Sequence, residues 1–314
     1  MIVQRIHIAP PPELARALAA FEEQFRYPLG PGRTFRISHG EDYPRFFRAM
    51  GDGACFVAMH GAGVIGTLGA AIRRLTLPDG NERLVAYLGD LKVSPSARRG
   101  RAVIELVQAM IGWVRPRVDA AFGVVMDGTA VTPERYAGRL GIPRMEQIGK
   151  AVIFQLRTVR DSAASRSIMA TREDCLACHG RLREGRCAIA DGDPAERSES
   201  PAQWLMLPDG SACGCLEDTL KAKRLFADDG AEMRSMHISC LAYRSTLSGV
   251  ELVRAAMRSA EHRGFGALFV AIAEPEAAGF AAALGEPPLA VAPCTIFGTG
   301  LAPCPLWNIN TSEI

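Results

Sequence analysis

The sequence predicts an α/β (α+β) protein built from two tandem domains, each a mixed, mostly antiparallel sheet flanked by helices. Three observations predict it. At 314 residues the chain exceeds one ordinary core, strand-length apolar runs alternate with apolar stripes at helical spacing, and one order of strand, helix and strand occurs in both halves. Hydrophobic residues at 48% and charged residues at 22% suit a soluble globular chain and exclude wholesale disorder.

Pro10-Pro11-Pro12 sets a helix start, and Leu14, Leu18, Phe21 and Phe25 recur on one face, so a helix is expected over residues 12–25. A shorter one is expected over 43–50. Residues 55–59 and 64–68 flank Gly61-Ala62-Gly63 and predict an antiparallel hairpin. A second hairpin turns at Pro78-Asp79-Gly80-Asn81 and leaves along a long strand, 84–93. Val103, Val107, Met110, Ile111 and Val114 form an apolar stripe that ends near Arg115-Pro116, which predicts a helix of about three turns. Beyond it a buried strand is expected at 122–126, a helix at 133–140 and a strand at 151–156, closing a unit at 1–158. The polar stretch 159–174 reads as a connection, with a second domain over 175–314.

Leu77-Pro78-Asp79-Gly80 recurs as Leu207-Pro208-Asp209-Gly210, Ile104-Glu105-Leu106-Val107 as Val250-Glu251-Leu252-Val253, and Gly123-Val124-Val125-Met126 is echoed by Ala267-Leu268-Phe269-Val270. The spacing lengthens once, between turn and helix, which one insertion around 213–233 accounts for. The second copy places a strand at 237–243, a helix at 250–263 and a strand at 267–272.

Thirty-six Lys and Arg against 34 Asp and Glu leave a net charge of +2, which disfavours nucleic acid as a partner. No signal-like apolar core and no membrane-length apolar span is present, so a cytoplasmic address without membrane partners is expected. Nine cysteines, an odd number scattered over a long chain, predict reduced thiols.

The sharpest local signal is Asp90-Leu91-Lys92-Val93-Ser94-Pro95-Ser96-Ala97-Arg98-Arg99-Gly100-Arg101-Ala102-Val103, where a strand ends, a basic glycine-containing loop turns and a helix begins. Unpaired amides and the partial positive charge at a helix start suit a phosphate or diphosphate. A solvated basic turn is the plainer alternative. This segment resembles the GCN5-related N-acetyltransferase (GNAT) family over residues 12–156: Val93-Ser94-Pro95 matches the V-x-P strand end, Arg98 matches the first arginine of the R/Q-x-x-G-x-G/A loop, and Val64-Ile65-Gly66-Thr67 resembles the common hairpin strand. The loop departs in holding one glycine, with Ala97 where the strict spacing has Gln or Arg.

The resemblance implies an acyl-CoA, acetyl-CoA as co-substrate, in a gap where the strand 87–93 splays from the strand 122–126. Leu91, Lys92 and Val93 would line the pantetheine arm, and Arg98, Arg99, Gly100, Arg101, Ala102 and Val103 would hold the diphosphate. It implies direct transfer to an amine of a small molecule or peptide. Asp90 and Asp127 are the nearest acids for the base, and Tyr136 is the tyrosine available to the leaving thiolate. A CoA- or ligand-binding protein without turnover is the alternative.

The second copy's loop, Tyr243-Arg244-Ser245-Thr246-Leu247-Ser248-Gly249, lacks the V-x-P and the basic glycine turn, so that domain reads as a degenerate copy that shapes the cleft or forms a homodimer. Cys175-Leu176-Ala177-Cys178-His179 spells a c-type haem string, while zinc held by Cys175 and Cys178 with Cys187 or with Cys213 and Cys215 is a second reading, and buried thiols the third. His7, His39, His60 and His262 read as surface or strand-end residues, and His237 as a hydrogen-bonded core histidine.

Overall fold

The computed structural model describes residues 1–97, 101–159 and 168–314. Along the chain come β1 (Ile2–Ile6), α1 (Pro12–Glu22), β2 (Tyr27–Pro28), β3 (Thr34–Ser38), α2 (Arg45–Arg48), β4 (Asp52–His60), β5 (Gly63–Thr76), β6 (Glu82–Val93), α3 (Ala102–Val114), β7 (Ala121–Met126) and β8 (Glu146–Arg157). There follow β9 (Ile168–Met169), α4 (Arg172–Leu182), β10 (Cys187–Ala188), α5 (Pro194–Arg197), β11 (Gln203–Met206), β12 (Ala212–Glu217) and β13 (Arg224–Ala227). The chain closes with β14 (Ser235–Tyr243), α6 (Thr246–His262), β15 (Ala267–Ala273), α7 (Glu274–Leu284), β16 (Ala290–Thr299) and β17 (Trp307–Asn308). No helix among the described residues is long and apolar enough to cross a membrane.

One large mixed sheet runs in the order β1-β4-β5-β6-β7-β16-β8-β15-β14-β12-β11-β9. Its centre exchanges strands between the halves. β16, near the end of the chain, pairs with β7 and β8, and β15 pairs along its length with residues 151–157 of β8. Every residue of β15, Ala267 to Ala273, is buried, as a strand covered on both faces requires. A small second sheet pairs β13 with β3 and β3 with β2, tying the long connection after β12 to the segment after α1.

Helix α3 lays Leu106, Val107, Met110 and Val114 against Phe56, Leu68 and Ile72 of β4 and β5, each buried side chain contributing about 1.5–3 kcal/mol. On the same principle α6 and α7 cover β14, β15 and β8 through Leu252, Val253, Met257 and Phe280. A third cluster, with α1, α2 and Trp307, covers the sheet around Val57, Phe122 and Ile296.

Two expectations need correction. Residues 133–140 do not form a helix: a 3-10 turn covers Pro133–Arg135, and Leu140 and Gly141 both take positive φ, which breaks helical geometry. The two Leu-Pro-Asp-Gly turns are not counterparts, because the first joins β5 to β6 and the second joins β11 to β12. By sheet order, β14, α6 and β15 answer to β6, α3 and β7, so the second copy of the turn stands one hairpin earlier. The stretch 160–167 and the loop residues Arg98, Arg99 and Gly100 lie outside the described residues.

Candidate functional site

Strands β6 and β7 run parallel and pair only at Ala86 with Ala121 and Tyr87 with Phe122. Beyond that they part, β6 staying on β5 to Val93 and β7 staying on β16 to Met126. The register of β5 on β6 shifts between Thr67 and Gly69, with one residue extra on β6, and Asp90 takes a φ of 59°. A left-handed residue in a strand marks a bulge, and a bulge re-aims the edge. Gly123 stands where the strands part: a Cβ there would lie 2.5 Å from the Leu88 carbonyl oxygen.

A cavity of about 830 Å³ is lined by both parted edges and by both faces of the sheet, a volume in the range of small-molecule sites. Its α3 side is apolar, with Val107, Met110, Val114 and Ile142, and holds Tyr136. The opposite side brings Tyr27, His39, Lys223 and His237 to it. Helix α3 has Arg101 at its N-cap, whose side chain makes no capping hydrogen bond, so among the described residues the first-turn amides are not capped in the usual way. Val103 is half-buried and Ala102 buried beside it.

Asp90 belongs to a buried cluster of charge. Lys92 Nζ lies 2.9 Å from Asp90 Oδ1 and 3.2 Å from Glu22 Oε1, and the Tyr43 hydroxyl donates to Asp90 Oδ2 at 2.8 Å. Glu22 Oε1 is 2.6 Å from His39 Nδ1, while its other oxygen accepts the His39 backbone amide at 3.0 Å. Burial alone raises the Asp90 carboxyl, but the charges of Lys92 and His39 and hydrogen bonds from Lys92 and Tyr43 outweigh it and hold it below the usual range. Glu22 is likewise held low against its burial by His39 and Lys92. Lys92 itself is lifted well above its ordinary value, Asp90 chief among the neighbours that overcome burial.

Lys92 thus turns its side chain to the acids, while its neighbours Leu91 and Val93 stay on the half-buried edge of β6. Asp127 is exposed, accepts a hydrogen bond from the Thr295 hydroxyl at 2.8 Å, and stands outside the cavity lining. Tyr136 lines the cavity from the irregular segment, and burial pushes its phenol up to about 12. Arg101 forms an exposed pair with Glu105 at 3.1 Å.

His39 corrects its surface reading: it is 2% exposed because the end of α1 folds Glu22 onto it. The missed signal was in α1, where Glu22 sits four residues after Leu18 on the apolar stripe, a charge that needs a buried partner. His237 hydrogen-bonds the Thr311 hydroxyl at 3.0 Å, as a core histidine should. Among the described residues, Glu22, His39 and Asp90 form a set of three within metal-ligating reach, and the Lys92 ammonium already supplies the cation there. Cys175, Cys178 and Cys213 pack with Ala242 as buried thiols, Cys178 Sγ donating to the Gly210 carbonyl at 3.3 Å and Cys213 Sγ to the Cys175 carbonyl at 3.5 Å.

The second half repeats the geometry and fills it. β14 and β15 pair in parallel from Ser235 to His237 and then part, and Cys240 takes a φ of 50° opposite the register shift of β12. The chain's own residues 309–314 occupy that opening: Asn310 Oδ1 accepts the Cys240 amide at 2.8 Å, and Ser312 bonds Ser239 at 2.8 Å. Glu313 fastens this segment to Arg73 and Arg197 at 2.9 and 3.0 Å. Helix α6 is closed by a capping box between Ser245 and Ser248, so the Ser248 amide is already used.

No family model and no curated protein matches the sequence. Solved structures do match over nearly the whole chain. A Saccharomyces cerevisiae N-myristoyltransferase structure with bound myristoyl-CoA and inhibitors aligns over 99% of this chain and 83% of its own, with 9% identity and a TM-score of 0.66. Another of the same enzyme, with bound myristoyl-CoA, aligns over 99% and 87%, with 8% identity and a TM-score of 0.65. A candidate acetyltransferase of Pyrococcus horikoshii aligns over 95% and 89%, with 10% identity and a TM-score of 0.56. With its parted strands and helix-flanked mixed sheet, the chain has the GNAT-type fold that these transferases share.

Proposed function

We propose that the protein is an N-acyltransferase that passes an acyl group from acyl-CoA to a primary amine by direct attack. The observation that carries this reading is the gap between β6 and β7, with a cavity running through it to a buried cluster of acids and histidines. The pantetheine arm pairs with the free edge of β6 at Leu91 and Val93, and the diphosphate rests on the start of α3, where the Arg101 side chain makes no cap, with Arg101, Ala102, Val103 and the preceding basic turn. Asp90 lies at the crossing, and the Tyr136 phenol, kept protonated by its burial, donates to the leaving thiolate. The amine acceptor, a small molecule or a peptide, enters from the side of Tyr27 and His39.

The apolar α3 side favours an acyl chain longer than acetyl, since Val107, Met110, Val114 and Ile142 offer far more surface than two carbons cover. Yeast N-myristoyltransferase, of the same fold, was solved with myristoyl-CoA. The closed second opening and the capped α6 support one acyl-CoA site per chain, with the second half as a copy that shapes the cleft. Calorimetry with coenzyme A, acetyl-CoA and myristoyl-CoA tests the reading. One-to-one binding that strengthens with chain length is the expected result, and no heat with any of the three overturns it.

A second reading has its own support. Both Asp90 oxygens are engaged, by Lys92 and Tyr43, which suits a protein that holds CoA without turnover. Release of free thiol from acyl-CoA in the presence of primary amines separates the two.

A further inference from the structure

We propose that His39 is the general base of this site and that Glu22 positions it, an assignment that rests on the acyltransferase reading above. His39 lines the cavity, and its Nε2 is buried with no hydrogen-bond partner among the described residues. A buried polar nitrogen left unsatisfied is costly, so its partner comes from what enters the cavity. Glu22 decides which nitrogen that is: Oε1 takes Nδ1 at 2.6 Å, which places the ring hydrogen there and leaves the Nε2 lone pair free. The ring packs against two others, with Tyr43 4.6 Å and Phe46 5.1 Å from its centroid.

Asp90 is the poorer candidate. Its oxygens are held by Lys92 and Tyr43 and its carboxyl is kept acidic, so it serves the cluster's charge balance. Its Oδ2 lies 3.6 Å from His39 Nδ1, close enough to stabilise an imidazolium. The groups that face the imidazole are Glu22 from α1, Asp90 and Lys92 from β6, and Tyr43 ahead of α2, with Tyr27, Lys223 and His237 along the same cavity.

The acceptor ammonium gives one proton to His39 Nε2 and becomes a neutral amine. Its nitrogen then bonds the thioester carbonyl carbon, the C–S bond breaks, and the second nitrogen proton passes to the departing sulfur. Amide and coenzyme A thiol are formed, and His39 returns its proton to solvent.

The test compares wild type, His39→Gln and His39→Ala in myristoyl-CoA turnover with glycinamide as amine, reading thiol release against pH, alongside calorimetry with the same acyl-CoA. The expected result is a fall in kcat of about 10²–10⁴-fold for His39→Gln, acyl-CoA affinity within twofold of wild type, loss of the acidic limb of the rate profile, and partial rescue of His39→Ala by imidazole. A Glu22→Gln variant should keep a reduced rate with a shifted limb. Wild-type turnover matched by His39→Gln with the same pH profile overturns the assignment and leaves the acyltransferase reading intact. Wild type that binds acyl-CoA without releasing thiol overturns the base and favours the non-catalytic reading, while wild type that binds none overturns the site itself.

Discussion

Asp90 and Cys240 hold matching places in the two halves: each stands three residues past the last parallel pair of its strand, and each takes a left-handed φ, 59° and 50°. One bulge faces an open cavity and the other faces Asn310, so the same backbone device serves an open gap once and a filled one once. A β-branched residue strains that conformation. Cys240→Val should cost about 1–3 kcal/mol of stability, read by urea unfolding, and an unchanged midpoint would sink the idea that the left-handed residue matters.

Gly123 offers a second test at the point of divergence. Its missing Cβ leaves room for the Leu88 carbonyl, so Gly123→Ala forces the strands apart or the chain to strain. A loss of about 1–3 kcal/mol is expected, together with weaker acyl-CoA binding by calorimetry. Normal stability with normal binding would mean that the strands part for another reason.

Lys92 neutralises two buried acids, so Lys92→Met should destabilise the fold by about 3–5 kcal/mol near neutral pH. In wild type Asp90 and Glu22 are held below their ordinary values, so their contribution is present above the ordinary carboxylate range and is lost as pH falls through their lowered values. Without Lys92, burial lifts both carboxyls, and the sign reverses. The variant should recover stability relative to wild type as pH falls from neutrality toward the ordinary carboxylate range, which denaturant titrations at several pH values measure.

The two helix starts make contrasting predictions. Ser245→Ala removes the cap of α6 and should cost about 1 kcal/mol with no change in CoA affinity. Arg101→Ala breaks only an exposed pair with Glu105 at the start of α3, so it should change stability little. Its effect falls on coenzyme A binding, weakened about tenfold, the factor that ~1.4 kcal/mol carries. Binding that responds to Ser245 and ignores Arg101 would assign the cofactor to the wrong half.

What could be read from the sequence was local. Leu106, Met110 and Val114 repeat at helical spacing, and β15 is an unbroken apolar run, because backbone periodicity writes itself into side-chain order. The stretch from Asp90 to Val103 pointed to the fold in another way, through its resemblance to the GNAT motif. Residues 133–140 misled because an apolar, charged mixture says little once Leu140 and Gly141 leave helical space.

Tertiary structure decided the rest. Glu22, His39 and the strand pair Asp90 and Lys92 lie on three separate stretches of chain and meet only because α1 packs against β3 and β5, and no local pattern encodes that meeting. The exchange of β8 and β16 and the filling of the second opening by residues 309–314 are of the same kind, since each depends on long-range pairing. The sequence determined which elements form; packing alone determined which gap stays open and which charges face it.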